Sequence, residues 1–203
     1  RPPAGRRPIF IERAYAALAR LPRPLMIGVA RLGHRIMEAR HLRGIKRRAA
    51  SGRAFKTPEG EALFFAAYDA VLKKWPVPFE EIDMPTPFGP THVTASGPKD
   101  APPLVLLHGY TATAMMWALN IGDLSQRHRV YAIDTMGQPG KSIPTEPVRS
   151  AADYVAWLTA TLDALHLDRV DLAGQSFGGW LALKYAIAAP ERVHRLALLS
   201  AGG

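Results

Sequence analysis

The chain is 203 residues long, 48% hydrophobic and free of cysteine, which suits one domain with an appendage and a sizeable core and excludes disulfides, thiol catalysis and thiolate metal sites. Its formal charge of +9 is unevenly spread: residues 1–76 carry 17 basic and 5 acidic side chains, residues 77–203 carry 9 and 12. No apolar run reaches membrane-spanning length and no signal-peptide core is visible, so a cytoplasmic location is expected.

In chain order, Ile9–Leu21 and Leu25–Leu42 place apolar residues at helical spacing, separated by Pro22 and Pro24. Glu59–Trp75 predicts a third helix, ended by Pro76. The cluster Arg40–Arg53 carries charge that could meet nucleic acid or an anionic membrane surface. It contains no aromatic ring on which a base could stack, and the apolar stripes beside it need burial. Residues 1–76 therefore read as a basic helical arm that packs on the body or on a sister subunit, without a nucleic-acid partner; peripheral membrane contact is not favoured.

Pro76–Phe79 marks a linker into a first strand near Glu81–Met84. Pro103–Leu107 is an apolar run suited to a strand buried on both faces. His108-Gly109-Tyr110 follows, then a helical stretch near Ala112–Leu124 and a strand at Val130–Asp134. Ala151–Leu165 predicts an amphipathic helix, Arg169–Ala173 a strand, Phe177–Ala188 a helix and Val193–Ser200 a last strand. Strands and helices alternating at this spacing predict an α/β, doubly wound, mostly parallel sheet over residues 77–203.

Thr135 to Ser142 ends in Gly-Lys-Ser after a strand, as a phosphate-binding loop does. That loop needs glycine where Thr135 stands and a helix immediately afterwards. Pro144 and Pro147 forbid the helix, so nucleotide binding is rejected. The seven histidines are scattered without ligand spacing, and no metal is expected.

Gly174-Gln175-Ser176-Phe177-Gly178 is the segment that carries chemistry. A Gly-x-Ser-x-Gly turn between an apolar strand and a helix is a nucleophile elbow: the serine takes a strained backbone and lifts its Oγ clear of the sheet. The free N–H groups of the following helix favour negative charge beside that hydroxyl. Ser176 is thus the expected nucleophile.

The His-Gly turn, the D-x-x-G-x-x-G-x-S loop from Asp134 and the elbow, in this order, resemble the α/β-hydrolase superfamily over about residues 80–203, with the look of carboxylesterases and related lactone or carbon–carbon hydrolases. The resemblance implies that the backbone N–H groups of Tyr110 and Phe177 form the oxyanion hole, leaving both aromatic side chains to line a substrate pocket. It implies a loop-organising role for His108 and a structural role for Asp134 and Gly137, and no cofactor.

In that family the catalytic acid and histidine follow the nucleophile. After Ser176 the chain offers only Glu191 and His194, in the link leading away from Ser176 and out of its reach. A serine without a base is a poor nucleophile. The expectation is therefore the N-terminal part of a hydrolase domain, truncated after the sixth strand. A missing C-terminal segment, or a sister subunit, would pair with that strand. The activity expected of the whole is cleavage of small carboxylic esters through an acyl-enzyme on Ser176. Two alternatives stay open: a lactonase, thioesterase or carbon–carbon hydrolase on the same framework, and a non-catalytic binding or assembly module that kept the elbow as scaffold.

Overall fold

The computed structural model describes Phe55 and residues 57–202. The two helices expected at Ile9–Leu21 and Leu25–Leu42 and the basic cluster Arg40–Arg53 lie outside the described residues. Helix α1 spans Pro58–Leu72; Thr57 caps it by accepting from the Gly60 N–H at 3.1 Å, with Pro58 at the first position, where no N–H is needed. Strands β1 (Phe79–Met84), β2 (Thr91–Ser96) and β3 (Pro103–Leu107) follow. A 3₁₀ turn (Ala114–Leu119) and the short α2 (Ile121–Leu124) occupy the stretch expected to be one helix. Then come β4 (Arg129–Ile133), α3 (Ala151–Ala164), β5 (Val170–Gln175), α4 (Phe177–Ala188) and β6 (Val193–Leu199). A capping box starts α3: the Ser150 hydroxyl accepts from the Asp153 N–H, and the Asp153 carboxylate accepts from the Ser150 N–H.

The six strands form one sheet in the order β1-β2-β4-β3-β5-β6. β3 pairs in parallel with β4 and β5, and β5 with β6, while β2 runs antiparallel to both β1 and β4. β2 is a strand that the apolar patterning did not predict. Its sequence, Thr-His-Val-Thr-Ala-Ser, is polar at four of six positions yet wholly buried.

Period-two alternation divides the apolar residues between two cores. Val105, Leu107, Ile133 and Leu172 face α3 and α4, joining Trp157, Leu158, Trp180 and Leu181. Leu104, Leu106, Val130 and Ala132 face the other way, joining Tyr68, Leu72 and Trp75 from α1 and its C-terminal turn with Trp117 and Ile121. The boundary expected at residue 76 thus coincides with no break in packing, because α1 shares its buried cluster with β3 and β4. Among the described residues β6 pairs on one side only, with β5, and Leu196, Leu198 and Leu199 are exposed.

Candidate active site

The chain turns sharply between β5 and α4. Ser176 sits at the bend with φ 52° and ψ −111°, a left-handed backbone that a residue with a Cβ adopts only under constraint. That constraint is visible on both sides. The Ser176 N–H donates to the Leu199 carbonyl at 2.9 Å, and its carbonyl accepts from the N–H groups of Trp180 at 3.0 Å and Gly202 at 3.2 Å. Glycine is obligatory at two positions because a Cβ on Gly174 would overlap the Gly178 carbonyl, and one on Gly178 would overlap the Leu107 and His108 carbonyls. The helix start therefore sits directly on the end of β3. Ser176 makes no side-chain capping bond to its own helix.

That contact sets the elbow beside His108-Gly109-Tyr110. The rings of Tyr110 and Phe177 meet edge to face, centroids 6.3 Å apart, so the two expected oxyanion residues lie next to each other. Their side chains differ in exposure. Tyr110 is 37% exposed, whereas Phe177 is buried, stacked on Trp180 at 5.3 Å and edge-on to Tyr154 at 5.4 Å. This corrects the expectation that both aromatics are free to line a pocket: the Phe177 ring belongs to the core, where it buries more apolar surface, and Tyr110 alone presents open surface. Trp180 follows Phe177 by one helical turn, so its place was open to sequence reasoning; Tyr154, on α3, gave no such signal.

His108 is fully buried and has both ring nitrogens engaged. Nδ1 lies 2.9 Å from the Gly109 carbonyl and Nε2 accepts from the Thr135 N–H at 2.9 Å. These partners fix the neutral tautomer with its proton on Nδ1. Burial pushes the imidazole below its ordinary pKa, against the opposing pull of Asp134 and the Gly109 carbonyl. With its lone pair occupied, His108 cannot accept a serine proton.

Asp134 is the hub of the loop after β4. Its carboxylate accepts from the N–H groups of Ala114 and Lys141, each at 2.8 Å, and its carbonyl accepts from the Ser142 hydroxyl at 2.6 Å. No helix follows Gly140-Lys141-Ser142 before α3 begins at Ala151. Lys141 ion-pairs with Asp69 and Glu81 and lies over the Tyr68 ring. The segment joins the sheet to α1 and has no phosphate cradle. Among the described residues, no group of three or more metal-ligating side chains converges.

The histidine and acid after Ser176 lie elsewhere. Glu191 sits in a 3₁₀ turn before β6, and His194 contacts Asp171 at 2.9 Å near the start of β5. Asp171 precedes Ser176 by five residues of extended chain, about 16 Å at strand rise. His128 approaches the same carboxylate at 3.8 Å, and His92 lies between Asp83 and Glu81.

Comparison with known proteins agrees with this architecture. The profile of the alpha/beta hydrolase fold family matches residues 102–202. Carboxylesterase YbfK of Bacillus subtilis is 42% identical over 146 residues, 72% of this chain and 49% of that protein. Its crystal structure superposes with a TM-score of 0.68 over 70% of this chain and 50% of the other. Naproxen esterase (carboxylesterase NP) from the same organism superposes at 0.70 with 39% identity, over 73% and 52%. A 2-hydroxy-6-oxo-2,4-heptadienoate hydrolase of Pseudomonas putida is 43% identical over 104 residues, 50% of this chain and 38% of that one. The chain spans about half the length of the two esterases. The sheet order, the strained serine between β5 and α4 and these likenesses agree, and the chain belongs to the α/β-hydrolase superfamily.

Proposed function

We propose that this chain carries the nucleophile and oxyanion half of a serine hydrolase that cleaves small carboxylic esters. The observation that carries the reading is Ser176, a non-glycine residue held at positive φ between a strand and a helix N-terminus. Likeness to two B. subtilis carboxylesterases supports the substrate class.

Ser176 Oγ attacks the ester carbonyl carbon as a histidine takes its proton. The backbone N–H groups of Tyr110 and Phe177 stabilise the oxyanion that forms. Collapse of that tetrahedral species expels the alcohol, which leaves with the proton. Water, activated by the same histidine, then releases the carboxylic acid and restores the serine. His108 is committed to Thr135 and Gly109, and His194 stands at the far end of β5. From the family order nucleophile, acid, histidine, we infer that the catalytic histidine and its acid are supplied by a segment absent from this chain, which docks along β6. No cofactor takes part. The P. putida relative keeps a second reading open, hydrolysis of an oxo-dienoate by the same serine.

Labelling the naturally produced protein with a fluorophosphonate, followed by peptide mass spectrometry, tests the nucleophile. Label on Ser176, lost in Ser176→Ala together with hydrolysis of a p-nitrophenyl ester, is the expected result. Label on another serine, or activity that survives the substitution, refutes it. No label and no turnover would favour the non-catalytic module. Turnover of an oxo-dienoate but no ester would favour the second reading.

A further inference from the structure

The geometry points to Gln138 as a positioning residue that holds the oxyanion loop in its active shape from the neighbouring β4 loop. This inference rests on the reading of the Tyr110 N–H as an oxyanion donor. The segment Gly109-Tyr110-Thr111-Ala112 is a tight turn, closed by the Ala112 N–H donating to the Gly109 carbonyl at 3.2 Å. Its third residue, Thr111, has φ 61°. A turn that needs positive φ there ordinarily uses glycine, and a β-branched residue in that conformation persists only when its surroundings over-determine it.

Gln138 supplies that determination. Its Oε1 accepts from the Thr111 N–H at 3.0 Å, and its own N–H donates to the Thr135 carbonyl at 2.9 Å, so side chain and backbone are both tied down. Gln138 is buried, which strengthens the bond by keeping water from competing. One residue upstream of Gly109, the His108 ring reaches the other way to accept from the Thr135 N–H. The loops after β3 and β4 are therefore cross-tied twice, once by a side chain from each, and the two ties bracket Gly109 and Tyr110. The peptide that carries the Tyr110 N–H is held directly through its Gly109 carbonyl, which accepts from the Ala112 N–H at 3.2 Å and lies 2.9 Å from His108 Nδ1, and the two ties anchor the residues on either side of it. An oxyanion donor works because its direction is fixed before the charge develops, and these ties fix it.

Gln138→Met removes the acceptor while keeping the side-chain length. Gln138→Glu keeps an oxygen in reach of Thr111. Gln138→Asn, one methylene short, is a milder version of the methionine variant and reads the same way. In the naturally produced protein, Gln138→Met should lower kcat for a short p-nitrophenyl ester about tenfold, less than the loss on the order of 10²–10³ from deleting a donor outright. KM should stay unchanged, and the Ki of a trifluoromethyl ketone should rise by the same factor as kcat falls. Amide exchange at Thr111 should accelerate by at least about tenfold. Gln138→Glu keeps the acceptor and should leave amide exchange at Thr111 within about twofold of the unsubstituted protein, while its added buried charge lowers kcat on its own account.

Unchanged exchange at Thr111 in Gln138→Met and Gln138→Asn overturns the tie itself. Faster exchange at Thr111 in Gln138→Met with unchanged kcat and inhibitor affinity overturns its catalytic consequence. A fall in activity matched by fewer titratable Ser176 sites, at constant kcat per site, marks Gln138 as merely structural. Failure of the unsubstituted protein to label at Ser176 refutes the hydrolase reading separately, and the positioning role with it.

Discussion

The two ends of the sheet are built by different physics. At the C-terminal end the shape is made by backbone: Thr111 after β3, Ser176 after β5 and Ser200 after β6 are three of the four non-glycine residues at positive φ among the described residues. Thr111 is held by the buried Gln138 side chain, and Ser176 by the Leu199 carbonyl and the Trp180 and Gly202 amides. At the N-terminal end the features are ion pairs. Arg129 joins Glu80, which also meets Lys99, and Asp171 takes His194 and His128. The Lys99–Glu80 and His194–Asp171 pairs keep a partner in water, where salt and hydration leave little net stabilisation. Ion pairs also occur at the C-terminal end, where Lys141 meets Asp69 and Glu81 and His92 meets Asp83, so charge alone would not have singled out the end that carries Ser176.

This contrast is breakable by substitution. Ser176→Ala should cost on the order of 10⁵-fold or more in kcat and leave the melting temperature nearly unchanged. Ser176→Gly should be equally inactive yet about 1 kcal/mol more stable to denaturant, because glycine releases the strain at φ 52°. A glycine variant less stable than the alanine variant would show that the bend is not strained. Gly178→Ala should destabilise by about 2–3 kcal/mol in urea unfolding and lower ester turnover, since its methyl group meets the Leu107 and His108 carbonyls.

A smaller effect belongs to His108. Its folded-state pKa lies below the ordinary imidazole value of 6.5 because the buried ring resists charging. The neutral ring's contribution is therefore complete above pH 6.5 and is lost as pH falls below that value. Thermal melts from pH 7.5 to 5 should show declining stability, and His108→Asn should flatten the slope near pH 6. At the opposite end, Asp171→Asn should shift stability by less than about 1 kcal/mol and leave kcat untouched. A loss of activity there would erase the distinction between the ends.

Much of this was legible from residues alone. The apolar runs of β3 and β5 and the elbow motif stand out because local sequence and tertiary role agree there. β2 was hidden because its signal is polar. Its Ser96 hydroxyl accepts from the Trp75 indole at 3.0 Å and its Thr91 hydroxyl from the Trp157 indole at 2.8 Å. Those partners are 21 and 66 residues away, beyond any window of hydrophobic periodicity. Gln138 was hidden for a similar reason: nothing in a loop of glycine and proline distinguishes an acceptor aimed at a backbone 27 residues upstream. Phe177 misled because a backbone role says nothing about where the ring goes.

The two indoles on β2 carry a consequence for unfolding. Thr91 and Ser96 lie on opposite faces of one strand, so a tryptophan from the α1 layer and another from the α3 layer are anchored to the same six residues. If either layer peels away, it leaves an orphaned hydroxyl on the strand that the other still grips. The layers are thereby coupled through a shared hinge pin of backbone and should melt as one. Two of the chain's four tryptophans are built-in fluorophores for watching it, one for each side: their emission should shift to the red in a single step at the same denaturant concentration.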